Sequence, residues 1–186
     1  MAVISSSQAN VDSAISRLNS SSATGHVGNV RDEESFAAVL KSLAPVDHIV
    51  SSDVDKIIRG ILEDLDIENV KFLFGVKFWG AVTIGKTVKK FDLTNAGGSL
   101  TLTSGAAALK PGKRASTGRG LNGGVISLTK GLAADLAEKR ARVNVVTPGL
   151  VKTELWDKLG KTKEEQEVQF KSANLPVGFV ATPDGK

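Results

Sequence analysis

The run from Ser99 to Thr153 constrains the fold more than any other part of the chain. Ser99-Leu100-Thr101-Leu102-Thr103 alternates polar and apolar residues, the period of a strand, and Ser104-Gly105 closes it. After a long loop, Leu121, Val125, Leu128, Leu132 and Leu136 recur at spacings of three and four, which predicts an amphipathic helix over 120–139. Lys139 and Arg140 end that helix with cations, where its dipole favours them. Ala141 to Val146 reads as the next strand, and Thr147-Pro148-Gly149 turns it off. Strand, crossover helix and parallel strand make one right-handed βαβ unit.

The preceding residues alternate in the same way. Ala2-Val3-Ile4 reads as a strand feeding the turn Ser5-Ser6-Ser7, and Val11, Ile15 and Leu18 follow at helical spacing. Thr24 to Val30 reads as a second strand. Asp32-Glu33-Glu34 charges the first turn of a helix that buries Phe36, Val39, Leu40 and Leu43, and Val46 to Val50 is a third strand. Strands and helices alternating at these lengths predict an α/β fold with a doubly wound, Rossmann-type parallel sheet. Asp53 to Asp66 reads as an exposed helix. Ile67 to Phe91 carries apolar residues on more than one face, which predicts a deeply buried helix or one shared with a second subunit. Thr162 to Lys171 is a short charged helix. Pro176, Gly178, Pro183 and Gly185 then predict a loose tail, so the chain divides into an α/β domain over 1–160 and a helix with tail over 161–186.

Composition narrows the function classes. At 186 residues the chain is one domain's worth, and its 41% hydrophobic and 24% charged content is globular. No apolar run reaches the length of a membrane helix, no signal peptide is visible, and there is no cysteine, so the expected location is cytoplasmic. A net charge of +4 with lysines scattered among acids argues against a nucleic-acid partner. The two histidines, His26 and His48, lie in or beside strands and read as structural, which leaves little from which to build a triad or a metal site.

Two phosphate-loop patterns occur. Gly80-Ala81-Val82-Thr83-Ile84-Gly85-Lys86-Thr87 satisfies the Walker A spacing, but its loop would be stiff and apolar, so a helix interior is the preferred reading over a nucleotide hydrolase. Gly118-Arg119-Gly120-Leu121-Asn122-Gly123 satisfies G-x-G-x-x-G. It lacks a strand immediately before it and an acid after the next strand, so it reads as accidental.

Ser104-Gly105, then Gly131-Leu132-Ala133-x-x-Leu136-Ala137, then Arg142-Val143-Asn144-x-Val146-x-Pro148-Gly149-x-Val151-x-Thr153 resembles the second half of a short-chain dehydrogenase/reductase. The resemblance extends over nearly the whole chain. It implies an NADP-dependent oxidoreductase acting on a small carbonyl or alcohol, with no membrane partner. It also implies a homo-oligomer through helices 67–91 and 120–139. Divergent members of this kind occur in specialised metabolism. On the family's pattern Ser104 is the serine that binds the substrate oxygen. Lys77 of Val76-Lys77-Phe78-Trp79-Gly80 stands at the helix asparagine, where it either stabilises an oxyanion or sits solvated. Ser5 and Ser6 stand where NAD-preferring members carry an acid, which favours NADP; Asn29 and Val30 match the adenine contact. Pro148, Gly149, Val151 and Thr153 match the turn that holds the nicotinamide carboxamide.

Three departures from the pattern matter. Gly118 stands at the catalytic tyrosine and Asn122 at the catalytic lysine, and the chain contains no tyrosine at all. Carbonyl reduction needs a proton donor of suitable pKa, which a lysine-flanked tyrosine supplies and glycine cannot. The central first strand with its glycine-rich turn and the far edge strand are also missing. The expected sheet is therefore incomplete at both ends, with a truncated gene product and a degenerate paralogue as the two explanations. Three function classes stay open: an NADP-dependent oxidoreductase by lineage; a redox-inactive relative acting as a binding partner or as a non-redox cyclase through Ser104 and Lys77; and, remotely, the phosphate-loop hydrolase.

Overall fold

The structure is a computed structural model that describes residues 1–54, 61–110 and 113–185. Among the described residues the strands are β1 (Ala2–Ser5), β2 (Thr24–Val27), β3 (Val46–Ser51), β4 (Thr94–Thr103) and β5 (Arg142–Val146). The helices are α1 (Gln8–Leu18), α2 (Glu33–Leu43), α3 (Ile67–Phe74), α4 (Gly80–Phe91), α5 (Ser116–Asp135), α6 (Leu155–Lys158) and α7 (Lys163–Lys171), with a π turn over Gly75–Trp79 joining α3 to α4. Every strand pairing is parallel.

The helix starts follow from short polar side chains. Ser7 caps α1 by accepting from the Asn10 N–H, and Asp32 caps α2 by accepting from Ser35. Thr162 and Glu165 form a reciprocal capping box at α7. The apolar stripes of α2, α4 and α5 converge on β4: Phe36, Leu40, Ile84, Val88, Val125, Leu132 and Leu136 join Leu100 and Leu102 in one core. Leu100 and Leu102 are 0% and 1% exposed, which marks β4 as the covered middle strand of its sheet.

The strands form two sheets, β1-β2 and β3-β4-β5, and among the described residues no ladder joins β1 to β3. Ile4 of β1 still packs against the core that β4 anchors. The two half-sheets are thus held by side-chain packing, with an interruption where a doubly wound sheet carries its central strand.

Several elements differ from the sequence expectation. β2 stops at Val27: the Gly28 N–H makes the last bond of the ladder, to the Ser5 carbonyl, and Asn29 to Asp32 then form a turn. β4 begins five residues early, at Thr94, and absorbs a register shift opposite Val46–His48 with Gly97 at φ +85°. The exposed helix expected over 53–66 falls partly on 55–60, outside the described residues; Leu62–Asp64 is a single 3₁₀ turn. The tail is anchored rather than loose: Val180 is buried with Trp156 and Phe170, and Lys152 N–H bonds the Ala181 carbonyl at 2.9 Å.

Candidate functional site

Parallel strands send all their carboxyl ends to one edge, where the backbone leaves the sheet and loops can face a ligand. Ser5 and Ser6 close β1 there, and Asn29 and Val30 follow β2. Asp53 follows β3, Ser104 follows β4, and Pro148, Gly149, Val151 and Thr153 follow β5. The last two loops are laced together. Ser104 N–H bonds the Val146 carbonyl at 2.8 Å, and Ala106 N–H bonds the Pro148 carbonyl at 2.9 Å. The Val151 carbonyl accepts the Trp156 indole N–H at 2.8 Å, and Thr153 Oγ1 accepts the Leu155 N–H. On the other side, the Asn29 side chain accepts the Arg31 N–H, and Val30 packs so close to Gly80 that an added Cβ there would lie 2.7 Å from Val30 Cγ2.

Lys77 reaches the middle of this edge because it sits on the π turn. The Gly80 N–H bonds Gly75 rather than Val76, so the helix gains a residue and rotates the following side chains. Phe74, Phe78 and Trp79 stack edge-wise around the turn. From it the Lys77 ammonium donates to Asn122 Oδ1 at 2.9 Å and to the Ser104 carbonyl at 3.2 Å. Ser104, buried, donates its hydroxyl to the Asn122 backbone carbonyl at 2.8 Å. Asn122 Nδ2 donates to the Gly118 carbonyl one turn back at 2.7 Å. The structure therefore brings Ser104, Lys77 and Asn122 together.

Burial pushes the Lys77 ammonium below the ordinary lysine range, and the Asp53 charge pulls it part of the way back. Asp53 Oδ1 accepts the Ser51 hydroxyl, whereas its Oδ2 is buried without a hydrogen-bond partner among the described residues. A lysine with a lowered folded-state pKa holds fewer protons folded than unfolded between that value and its ordinary one. Stability should therefore rise with pH across that alkaline window. The expected result is that the wild type gains stability relative to Lys77→Met as pH rises there, read from urea midpoints; a parallel pair of curves would contradict it.

Position 118 lies on α5, on the same helical face as Asn122 four residues on, and a Cβ added there meets nothing within 4 Å. Open space one helical turn from the asparagine that holds the half-buried Lys77 stands where the sequence pattern asks for a proton donor. Asn122 was legible as the residue standing at the catalytic lysine but not as the anchor of Lys77. Asp53 was signalled only by being a carboxylate just past a strand end.

The two phosphate-loop patterns dissolve in the helices. Gly80 to Thr87 lies inside α4, with its N–H groups spent on the helix, Lys86 paired with Glu33 and the Thr87 hydroxyl on the Thr83 carbonyl. Gly118 to Gly123 lies inside α5. Neither can fold around a phosphate. His48 Nδ1 pairs with Ser99 and His26 with Thr24. Among the described residues no three His, Cys, Asp or Glu side chains cluster as a metal site, and no helix is long and apolar enough to cross a membrane.

A family model described as an SDR-like Rossmann domain matches residues 1–181. The chain belongs to the short-chain dehydrogenase/reductase (SDR) family. Among curated relatives of this SDR chain, the short-chain dehydrogenase/reductase ucsE of Acremonium is 32% identical over 173 residues, 84% of this chain and 65% of the relative. A solved small-chain dehydrogenase in complex with NADPH is 29% identical, with a TM-score of 0.76 over 90% of this chain and 77% of that one. The MalC Reductase/Diels-Alderase of Malbranchea aurantiaca is 25% identical, with a TM-score of 0.82 over 98% of this chain and 75% of that one. The SDR chain spans 62–65% of the length of the first curated relatives it matches.

Proposed function

We propose that this SDR chain binds NADP(H) along the carboxyl edge of its strands but does not use it to reduce or oxidise a small carbonyl or alcohol substrate. The observation that carries the reading is the open position at Gly118, one helical turn before the Asn122 that holds Lys77 and Ser104, in a chain without tyrosine. Ammonium and hydroxyl groups can hold a carbonyl oxygen, but Ser104 already donates to a helix carbonyl and is no acid at neutral pH.

The residues present fit the two ends of the nucleotide. Ser5 and the exposed Ser6 offer hydroxyls and no carboxylate at the end of β1, so a ribose 2′-phosphate meets no repulsion. Asn29 and Val30 would flank the adenine. Pro148, Gly149, Val151 and Thr153 would frame the nicotinamide, on a turn tied to Ser104 through Ala106. The chemistry such a nucleotide would supply is hydride transfer, which this chain would hold unused for want of a positioned proton donor. The NADPH-bound neighbour supports the choice of nucleotide.

The expected result by equilibrium dialysis is tighter retention of NADPH than of NADH, and reversal of that order in Ser6→Asp. Equal retention of both, unaffected by Ser6→Asp, would overturn the assignment.

A second reading is a non-redox, ring-forming activity in specialised metabolism, with Lys77 polarising a carbonyl. The Lys77–Ser104 contact and the solved neighbour named both reductase and Diels-Alderase favour it. The two readings share the dinucleotide fold and differ in whether a substrate is turned over without cofactor. We also place a homo-oligomer on helices 67–91 and 120–139, where Ile67 and Trp79 are exposed, and a cytoplasmic location, which the absence of cysteine supports.

A further inference from the structure

We propose that the cation of this site and the amide that anchors it have exchanged helices: Lys77, from the π turn, delivers the ammonium that the family's pattern takes from position 122, and Asn122 has become its anchor. The two side chains lie 45 residues apart in sequence and meet at 2.9 Å. An ammonium can only donate, so the amide must turn its oxygen to Lys77, and its NH₂ then bonds the Gly118 carbonyl at 2.7 Å. The amide is thus satisfied on both sides and fixed against rotation. A lysine at 122 with an asparagine at 77 satisfies the same donor and acceptor count in mirror order, so the pair can be reversed without orphaning a buried polar group. Each single replacement breaks the match. Lys77→Asn removes the cation, shortens the reach to Asn122 and the Ser104 carbonyl, and adds an amide oxygen with no donor facing it; Asn122→Lys brings two ammonium groups within contact distance in a half-buried setting.

The exchange keeps a cation at the junction of β4, α5 and the π turn while freeing it from α5. Two of the three ammonium N–H groups go to Asn122 and Ser104, and the third has no partner among the described residues. Asp53 Oδ2, buried and unpartnered, is the nearby carboxylate whose charge Lys77 feels. A donor and an acceptor left over in one neighbourhood fit a hydroxyl ligand, whose oxygen accepts from the ammonium and whose O–H donates to the carboxylate. That last assignment rests on the dinucleotide reading above; the exchange itself does not.

The test is a swap cycle of Lys77→Asn, Asn122→Lys and the double variant, each unfolded in urea without any ligand. Each single variant should lower the folding equilibrium constant about tenfold or more, and the double variant should return to within about threefold of the wild type. Should Asn122→Lys fail to fold, a folded double variant is itself the restoration. Carbon-13 NMR of labelled lysine side chains supplies a readout that packing alone would not move: Lys77 in the wild type and the lysine at 122 in the double variant should both titrate below the bulk lysines. A double variant no better than the product of the two singles, or a lysine at 122 that titrates with the bulk, overturns the exchange. NADPH affinity measured on the same four proteins separates the two ideas. If no variant binds NADPH while the stability cycle closes, the dinucleotide reading fails and the exchange stands.

Discussion

Gly118→Tyr should convert a silent protein into a measurable ketone reductase. Position 118 is one helical turn from Asn122, whose side chain holds Lys77, and beyond the helix's own backbone and its chain neighbours nothing described lies within 4 Å of a Cβ placed there. A tyrosine on that face would carry its hydroxyl toward the ammonium, whose charge favours the phenolate and brings the phenol's pKa toward neutrality. A positioned general acid contributes roughly 10²–10⁴-fold to such a proton transfer. NADPH oxidation in the presence of a ketone should rise by about that factor over the wild type, whose rate should equal the enzyme-free rate. Gly118→Phe fills the same space without the hydroxyl and should stay silent. Equal activity in the two variants would mean that shape, and not proton supply, was missing.

The second large effect concerns the interrupted sheet. β1 and β2 form a two-stranded sheet covered by α1, whereas β4 lies between two strands under Leu136, Val125 and Val88. Two-stranded sheets are marginal alone, and units with fewer buried contacts open at lower cost. Amide exchange of hydrogen-bonded residues in β1 and β2 should therefore run at least about 10²-fold faster than that of Leu100 and Leu102. Uniform protection across all five strands would show that the two half-sheets behave as one cooperative body despite the missing ladder.

The alternation of strand and helix was legible because Leu100, Leu102, Leu121, Val125, Leu132 and Leu136 carry the two periods cleanly, and the structure buries every one of them. The carboxyl-edge residues were legible because turns after parallel strands must lie at one edge. The first turn of α5 was not: the helix was expected from Gly120, but it starts at Ser116, because Leu121 and Val125 are buried and packing carries the helix back through the weak helix former Gly118. The start of β4 was hidden by Gly97 and Gly98, which break alternation to accommodate a register shift. The tail misled for the converse reason, since Pro176 and Gly178 bracket a chain that a single apolar residue, Val180, fastens to Trp156 and Phe170. The Lys77–Asn122 contact is set by a π turn and a separation of 45 residues, neither of which leaves a periodic signal.

A dinucleotide held without being used has two observable sides, and one fluorescence experiment addresses both. With Trp79 and Trp156 excited, NADPH added to the wild-type protein should produce a saturable rise in nicotinamide emission. A panel of aliphatic and aryl ketones added afterwards should leave that emission flat. A signal that never rises, or one that rises and then decays once a ketone is present, would contradict it.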